Sequence, residues 1–179
     1  MDSAVPQSAP RSGTVGVYAA QGELRALAAR DIGAGEAFFD LQGWVVPEPT
    51  RYTIQLGPGS HLEMPAGVPW EIVLRDYPWR FLNHSCVPNT RIVGRQLVAL
   101  AAIREGTELS FDYDANEWDM AEPFACRCGH CGGRMVRGFV HLSAAEREAR
   151  RSVVAESLLP YLEGEGSQRK MAADPSLAE

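Results

Sequence analysis

The sequence predicts one mainly β domain (α+β class) with a helix at its carboxyl end. The chain has 179 residues, of which 45% are hydrophobic, which is enough for one buried core but hardly for two. Short apolar segments alternate with glycine-rich turns between residues 14 and 114, as strands in a β domain do. Helical periodicity is weak there and becomes clear only after residue 143.

The predicted strands follow one another at short intervals. The segment 51–56 alternates apolar and polar residues, which is typical of a strand with one buried face. Gly94 and Arg95 separate two apolar runs and predict a hairpin turn. In chain order, the segments predicted to form strands are 14–20, 24–29, 37–46, 51–56, 91–103 (the hairpin) and 108–114.

The segment 143–162 is predicted to be a C-terminal helix. Ser143 and Glu146 have the spacing of a capping box, in which each residue satisfies a backbone amide at the start of a helix. Helical periodicity then continues to about Leu159, and Pro160 fits the end of the helix. We therefore expect a single helix in this part of the chain.

The remaining boundaries follow from composition. The ends of the chain, 1–13 and 163–179, are polar and rich in small residues, so both are predicted to be disordered. Between them we distinguish a main domain at 14–120 and a cysteine-containing region at 121–142.

The charge and hydropathy of the chain argue against several classes of partner. A net charge of −6 and a pI near 5.3 do not suit a nucleic-acid-binding protein with a broad basic surface, whereas they favour a basic partner. No apolar run is long enough to span a membrane, and the first residues lack the features of a signal peptide. We therefore expect an intracellular protein, cytoplasmic in the first instance.

The four cysteines are closely spaced. Cys126, Cys128 and Cys131 form a Cys-x-Cys-x-x-Cys pattern, and Cys86 lies earlier in the chain. In an intracellular protein, this spacing favours a metal site over disulfides.

Two distant segments define the family that the chain resembles. They are RFLNHSCVPN at 80–89 and ELSFDYD at 108–114, and each one alone is compatible with a surface loop or with core packing. Together, and followed by the cysteine pattern, they resemble the SET-domain protein methyltransferases. The resemblance covers roughly residues 14–142 and includes A-x-R-D-I-x-x-G-E at 28–36. It implies a SET-domain β-clip fold in which the two segments form a pseudoknot.

The resemblance also implies a reaction and the residues that perform it. SET enzymes transfer a methyl group from S-adenosylmethionine to an amine, which must be neutral to attack, whereas only about one free lysine in a few thousand is neutral at pH 7. Tyr113 corresponds to the family's catalytic tyrosine, and Tyr52 to a pocket aromatic that supports it. Phe111 corresponds to a pocket position that holds Phe or Tyr, where Phe leaves more room for a methylated amine.

The cofactor site is implied in the same way. Asn83 and His84 correspond to cofactor contacts, and Arg80 and Phe81 are expected to border the cofactor. Asn89 is expected to brace the knot. The family's Gly-x-Gly motif is absent, since counting back from the A-x-R-D-I segment places Glu23 and Arg25 at the two glycine positions. Side chains there are expected to crowd a backbone that should approach the cofactor closely.

The cysteine pattern corresponds to the post-SET region, which binds structural zinc. By the resemblance the ligands are Cys86, Cys126, Cys128 and Cys131, and four thiolates suit tetrahedral Zn²⁺. From the residues alone, two alternatives remain: free thiols, or a site in which His130 replaces one cysteine.

An acidic segment follows the predicted catalytic tyrosine. Glu117, Asp119 and Glu122 either form an anionic rim for a cationic substrate or belong to a solvated acidic loop. The sequence does not distinguish these interpretations.

The sequence therefore predicts an S-adenosylmethionine-dependent methyltransferase acting on an amine, first of all the lysine of a protein or peptide. Two alternatives follow from the missing glycines: a SET scaffold that acts on a small-molecule amine, and a SET-like module that binds a basic peptide without turnover.

Overall fold

The computed structural model describes residues 13–20 and 22–162, so the disorder predicted for 1–13 and 163–179 falls almost wholly outside the described residues. The strands are β1 Val15–Ala20, β2 Glu23–Ala28, β3 Ala37–Asp40, β4 Trp44–Val46, β5 Ile54–Gly57, β6 Ser60–Glu63, β7 Asn83–His84, β8 Thr90–Val93, β9 Gln96–Ala99, β10 Ser110–Phe111, β11 Phe124–Ala125 and β12 Met135–Val136. The α-helices are α1 Trp70–Asp76 and α2 Ala144–Ala149. The 3-10 helices are Pro78–Phe81, Tyr113–Ala115, Phe139–His141 and Glu156–Tyr161. The predicted mainly β fold is confirmed.

Small antiparallel sheets make up most of the fold. The hairpins β1–β2 and β8–β9 form at the predicted positions, and β3 joins the second one to give the order β3-β9-β8. A second three-stranded sheet has the order β4-β6-β5, and β11 pairs with β12. Only β7 and β10 pair in parallel among the described strands, and these strands come from the two segments that carry the family resemblance.

A main hydrophobic core lies between these sheets. Its largest fully buried side chains include Trp79, Leu62, Leu97 and Leu109, and the Trp79 indole donates a hydrogen bond to the backbone oxygen of Gln42 at 2.9 Å. Because Leu62 and Leu97 come from different sheets and Trp79 from a 3-10 helix, the core joins these elements into one unit. Neither α-helix in the described part of the chain is long enough to span a bilayer.

A second cluster lies under the C-terminal segment. The buried apolar side chains of Phe139, Val154 and Leu158 pack there, with Trp118 half-buried against them. The Phe139 and Trp118 rings stack with their centroids 6.3 Å apart. The C-terminal residues therefore form part of the folded domain.

The predicted C-terminal helix 143–162 is present but much shorter. The capping box at Ser143 forms as predicted, but α2 ends at Ala149, and the next helical residues form the 3-10 helix Glu156–Tyr161. Tertiary contacts explain the break, because Arg150 turns toward Asp112 and the amide of Ala155 donates to the Ala115 oxygen at 2.8 Å. The β-branched pair at 153–154 also has low helix propensity.

Two other local predictions need correction. The predicted strand 37–46 is interrupted at Gly43, whose φ is +154° and where a Cβ atom would lie 2.6 Å from the Glu63 oxygen. The helix α1 was not predicted, because seven residues between Pro69 and Pro78 are too few for helical periodicity to be clear.

Two buried carboxylates join the segment 108–114 to the C-terminal part of the chain. The Asp112 carboxylate accepts a hydrogen bond from Arg150 Nε at 2.8 Å. The Asp114 carboxylate pairs with the Arg134 guanidinium and accepts from the amides of Arg137 at 2.9 Å and Gly138 at 2.7 Å. The Asp112 and Asp114 side chains are each 1% exposed, so removing either cation would leave a buried charge unpaired.

Replacing Arg150 with alanine is expected to lower the free energy of unfolding by about 3 kcal/mol, because the buried Asp112 carboxylate loses its cation. Urea unfolding measures the change. The matched control is Arg151→Ala, which removes a neighbouring but exposed arginine and should cost less than about 1 kcal/mol. Equal losses for the two variants would show that the Arg150–Asp112 pair does not stabilise the fold.

Candidate functional site

The parallel pair β7–β10 positions Tyr113. The amide of Ser85 donates to the Phe111 oxygen at 3.1 Å, and the Asn89 side chain donates to the Glu108 oxygen at 2.7 Å and accepts from the Ser110 amide at 2.9 Å. Asn89 therefore braces the crossing of the two segments, as expected. Immediately after β10, Tyr113 begins a 3-10 helix.

The Tyr113 side chain is held from several sides. Its hydroxyl donates a hydrogen bond to the Leu82 oxygen at 2.6 Å. Its ring centroid lies 4.6 Å from that of Phe111, 5.3 Å from that of His84 and 5.9 Å from that of Phe124. The ring and hydroxyl are therefore fixed before any ligand binds.

Two cavities meet at Tyr113. One is a wide groove of about 1150 Å³, and the other is a narrow pocket of about 50 Å³. The residues that line both cavities are Arg51, Tyr52, Arg80, Leu82, Tyr113 and Met120. Since the tyrosine borders both, a molecule in the groove and a molecule in the pocket can meet beside its side chain.

All four residues predicted to contact the cofactor line the wide groove, as do Glu23 and Arg25. Glu108 links the two walls of the groove, because one carboxylate oxygen accepts from Asn83 Nδ2 at 2.8 Å and the other from Arg25 Nη1 at 2.8 Å. Three polar side chains of this groove, those of Arg25, Asn83 and Glu108, are therefore bonded to one another.

The His84 ring is buried, although the residue lines the groove. Its side chain is only 2% exposed, Nδ1 accepts from the Tyr113 amide at 3.2 Å, and Nε2 lies 3.3 Å from Cys86 Sγ. Burial lowers the pKa of His84 to about 4, so the ring is neutral at physiological pH. Its ring nitrogens thus support the knot, and a ligand in the groove would meet other atoms of this residue.

The predicted pocket residues Tyr52, Phe111 and Tyr113 line the narrow pocket together. Tyr52 is half exposed, and its ring lies 4.6 Å from the Arg80 guanidinium carbon and 5.1 Å from that of Arg51. These cation–π contacts hold the tyrosine at the pocket mouth. The ring therefore already has two cationic partners from this chain.

The structure separates the three acidic residues that the sequence grouped. Glu117 is 7% exposed and lines the narrow pocket, and Glu122 lines the wide groove, with its carboxylate 3.6 Å from Arg51 Nη1. Asp119 lines neither cavity and instead lies 2.9 Å from His141 Nε2. The three therefore form neither one rim nor one solvated loop, and no pattern in the sequence indicates that Glu117 is buried.

Burial changes the titration of two groups in the narrow pocket. It raises the pKa of Glu117 to about 7. It also raises the pKa of Tyr113 well above its usual range, and the nearby Glu117 charge adds to this effect. Tyr113 is consequently a neutral phenol at physiological pH.

The four cysteines converge on one point. Their sulfur atoms all lie within 4.8 Å of one another, with Cys86 and Cys126 3.8 Å apart and Cys128 and Cys131 3.9 Å apart. Four sulfurs at about 2.3 Å from a tetrahedral zinc ion are separated by about 3.8 Å, so small shifts of the thiols would let all four hold one zinc ion. His130 is not part of this cluster.

The cysteine cluster is connected to the tyrosine. The Arg134 guanidinium lies between Cys86 and Asp114 and contacts both. Its Nε is 3.5 Å from the Cys86 sulfur. The Phe124 ring packs against His84 and Tyr113, and β11 leads from it directly to Cys126. A metal at the cysteines would thereby fix one wall of the groove.

Comparisons with known proteins agree with this arrangement. The SET domain family model matches residues 25–114. An H3 lysine-36-specific histone-lysine N-methyltransferase of Yarrowia lipolytica is 34% identical over 117 residues, covering 57% of this chain and 15% of that protein. Methyltransferase flvH of Aspergillus flavus is 33% identical over 87 residues, covering 46% of this chain and 43% of that protein.

Among solved structures, KRYPTONITE in complex with mCHG DNA and SAH gives a TM-score of 0.46 at 23% identity, over 65% of this chain and 27% of that one. The chain spans less than half the length of either curated relative described above. The family model nevertheless covers half of this chain, including both segments of the knot and Tyr113, and the chain therefore belongs to the SET-domain family.

Proposed function

We propose that the protein transfers a methyl group from S-adenosylmethionine to the side-chain amine of a protein lysine. The position of Tyr113 between the wide groove and the narrow pocket supports this most directly, because transfer between two molecules requires that their reacting atoms be brought into contact. The name of the Yarrowia lipolytica relative specifies a lysine of histone H3 as its substrate, which supports a protein substrate here.

The wide groove has the size and the polar groups needed for the cofactor. S-adenosylmethionine supplies a methyl group on a positively charged sulfur. In this chain the amide of Asn83, the backbone of His84 and the borders formed by Arg80 and Phe81 would hold it, since all four residues line the groove. Binding must compete for the Asn83 amide, which now donates to Glu108.

Tyr113 would orient the amine for attack. Its hydroxyl proton is directed to the Leu82 oxygen, so the phenol oxygen can accept a hydrogen bond from an amine in the narrow pocket. Because its pKa is raised, the phenol does not ionise at neutral pH and is not the proton acceptor. Tyr52 and Phe111 would enclose the aliphatic part of the lysine.

The zinc ion is proposed to have a structural role. All four sulfurs would serve as ligands, and a zinc ion held by four thiolates would have no open position for a substrate. Cysteine clusters that bind metal instead of forming disulfides are typical of reducing compartments, and we propose that the protein acts inside the cell, in the cytoplasm first of all.

Cofactor binding is the first test of the proposal. Calorimetry should detect S-adenosylmethionine binding, and Asn83→Ala should weaken it about tenfold, because one hydrogen bond contributes about 1.4 kcal/mol or somewhat less. Gln96→Ala removes an amide that lies outside both cavities and should have no effect. A folded wild type that fails to bind the cofactor would refute the proposed function.

Replacing Tyr113 with phenylalanine should reduce the methylation rate at least about a hundredfold, because one positioned hydroxyl is lost. Transfer of a labelled methyl group to histone H3 peptides measures the rate, and cofactor affinity should change little. Tyr161→Phe is the matched control, since that ring packs against Trp118 in the C-terminal cluster. Full activity of the Tyr113 variant would exclude the proposed role.

The metal prediction separates the cysteine site from the alternative that includes His130. Elemental analysis should find about one zinc per wild-type chain, because the four sulfurs form one site. Cys128→Ser should lose the metal and unfold more readily, whereas His130→Ala should retain it. Metal-free wild type, or loss of zinc from the His130 variant, would contradict this assignment.

A further inference from the structure

The narrow pocket contains a carboxylate that the structure does not pair with a cation. Glu117 lines this pocket, a cavity of about 50 Å³, and does not line the wide groove. In a methyl transfer to an amine, this is the cavity on the amine's side of Tyr113. The inference below therefore rests on the proposed function.

Hydrogen bonds hold one oxygen of Glu117. Oε1 accepts from the Gln55 amide at 2.9 Å and from Asn116 Nδ2 at 3.0 Å. Among the described residues, no hydrogen-bond donor contacts Oε2. Oε2 is also not one of the fully buried side-chain atoms that lack a hydrogen-bond partner. Oε2 is therefore the oxygen available to a group that enters the pocket.

The cations near Glu117 have other partners. No salt bridge among the described residues involves Glu117, although arginines line the same pocket. Arg80 Nη1 lies 2.9 Å from Glu63 Oε1, and Arg51 Nη1 lies 3.6 Å from Glu122. The other titratable groups of the pocket wall are the phenols Tyr52 and Tyr113. An ionised Glu117 is thus a buried anion without a direct counter-ion, which is unfavourable until a cation arrives.

We propose that Glu117 binds the ammonium group of the substrate in the narrow pocket and accepts one of its protons before methyl transfer. An ammonium group is complementary to this site, because it brings both a positive charge and N–H donors to Oε2. A neutral group of the same size would leave the carboxylate unpaired. Glu117 thereby selects an amine and also converts it to the reactive form.

The proton and electron balance is complete without a further reactant. One N–H bond of the ammonium breaks, its proton bonds to Glu117 Oε2, and the electron pair stays on the nitrogen. The neutral amine then attacks the methyl carbon, whose bond to sulfur breaks with the electron pair left on sulfur. The products are a methylated ammonium, a neutral thioether and a protonated Glu117, which returns its proton to solvent.

The ionisation of Glu117 makes ammonium binding in the narrow pocket depend on pH. Its pKa of about 7 means that the carboxylate is ionised above this pH and protonated below it. Ammonium binding therefore requires a pH above about 7 and should weaken as the pH falls through this value. The other charged groups of the pocket, Arg51 and Arg80, do not titrate in this range.

The test uses n-butylamine, which has the length and charge of a lysine side chain, and the full zinc-loaded protein. Amide chemical shifts in NMR spectra report its binding, and Gln55 provides a direct signal because its amide donates to the Glu117 carboxylate. At pH 8, Glu117→Gln should weaken n-butylamine binding tenfold or more, which is the range for hydrogen bonds to charged groups. Glutamine keeps an oxygen that accepts from the Gln55 amide, so this variant should remain folded.

Two controls isolate the charge of Glu117. Glu148→Gln makes the same chemical change at an exposed glutamate outside both cavities and should bind n-butylamine as the wild type does. The neutral probe 1-butanol should not distinguish wild type from Glu117→Gln. Equal n-butylamine affinity for wild type and Glu117→Gln, or no binding by the wild type, would overturn the inference.

The titration of the wild type supplies a second measurement that needs neither a variant nor a ligand. The Gln55 amide shift should follow one ionisation with a pKa near 7, and n-butylamine should move it to lower pH. A Gln55 shift that does not respond to pH between 5 and 9, an interval of about two units to either side of that pKa, would also overturn the inference. These experiments omit the cofactor, so the Glu117 inference can be overturned while S-adenosylmethionine binding is still observed. Likewise, n-butylamine can bind as expected while S-adenosylmethionine does not bind.

Discussion

The crossing of the segments 80–89 and 108–114 is the constraint on which the rest of the structure depends. Residues 27 positions apart in the chain meet in a parallel pair of only two residues each, which by itself is a weak attachment. Side chains complete it, because Asn89 bonds to both Glu108 and Ser110, and the Tyr113 hydroxyl bonds to the Leu82 oxygen. The same bonds that close the knot therefore also fix the orientation of the tyrosine.

The C-terminal third of the chain completes this arrangement from outside. Asp112 and Asp114 follow directly on β10, and their buried carboxylates are bound by Arg150 and by the segment 134–138. The close approach at Gly138 admits no side chain, since a Cβ atom there would lie 2.7 Å from the Trp118 oxygen. Residues that follow the region matched by the SET domain family model, 25–114, thus determine the shape of a site that lies mostly within that region.

The sequence predicted those features that depend on local contacts or on motifs. The strand pair at 14–29 and the hairpin at 91–103 are correct because residues close in the chain pair. The cysteine cluster follows from the spacing of 126–131 together with the family resemblance, which implied Cys86 as the fourth member. The helix 143–162 was predicted too long, because contacts with the distant Asp112 and Ala115 divide it. Likewise, Glu117 resembles its exposed acidic neighbours in sequence, and only packing against Gln55, 62 positions earlier, buries it.

The two cavities differ in how their charges are satisfied, and this difference suits two different ligands. In the wide groove, Arg25 bonds to Glu108 and lies 3.6 Å from the Glu23 carboxylate, so the two side chains at the family's glycine positions are paired within the protein. Gly22, with φ of +80°, belongs to the turn that joins β1 to β2. A ligand of the groove therefore meets a wall whose charges are already balanced. In the narrow pocket the only carboxylate among the lining residues, that of Glu117, has no cation bonded to it, so the cation must come with the substrate.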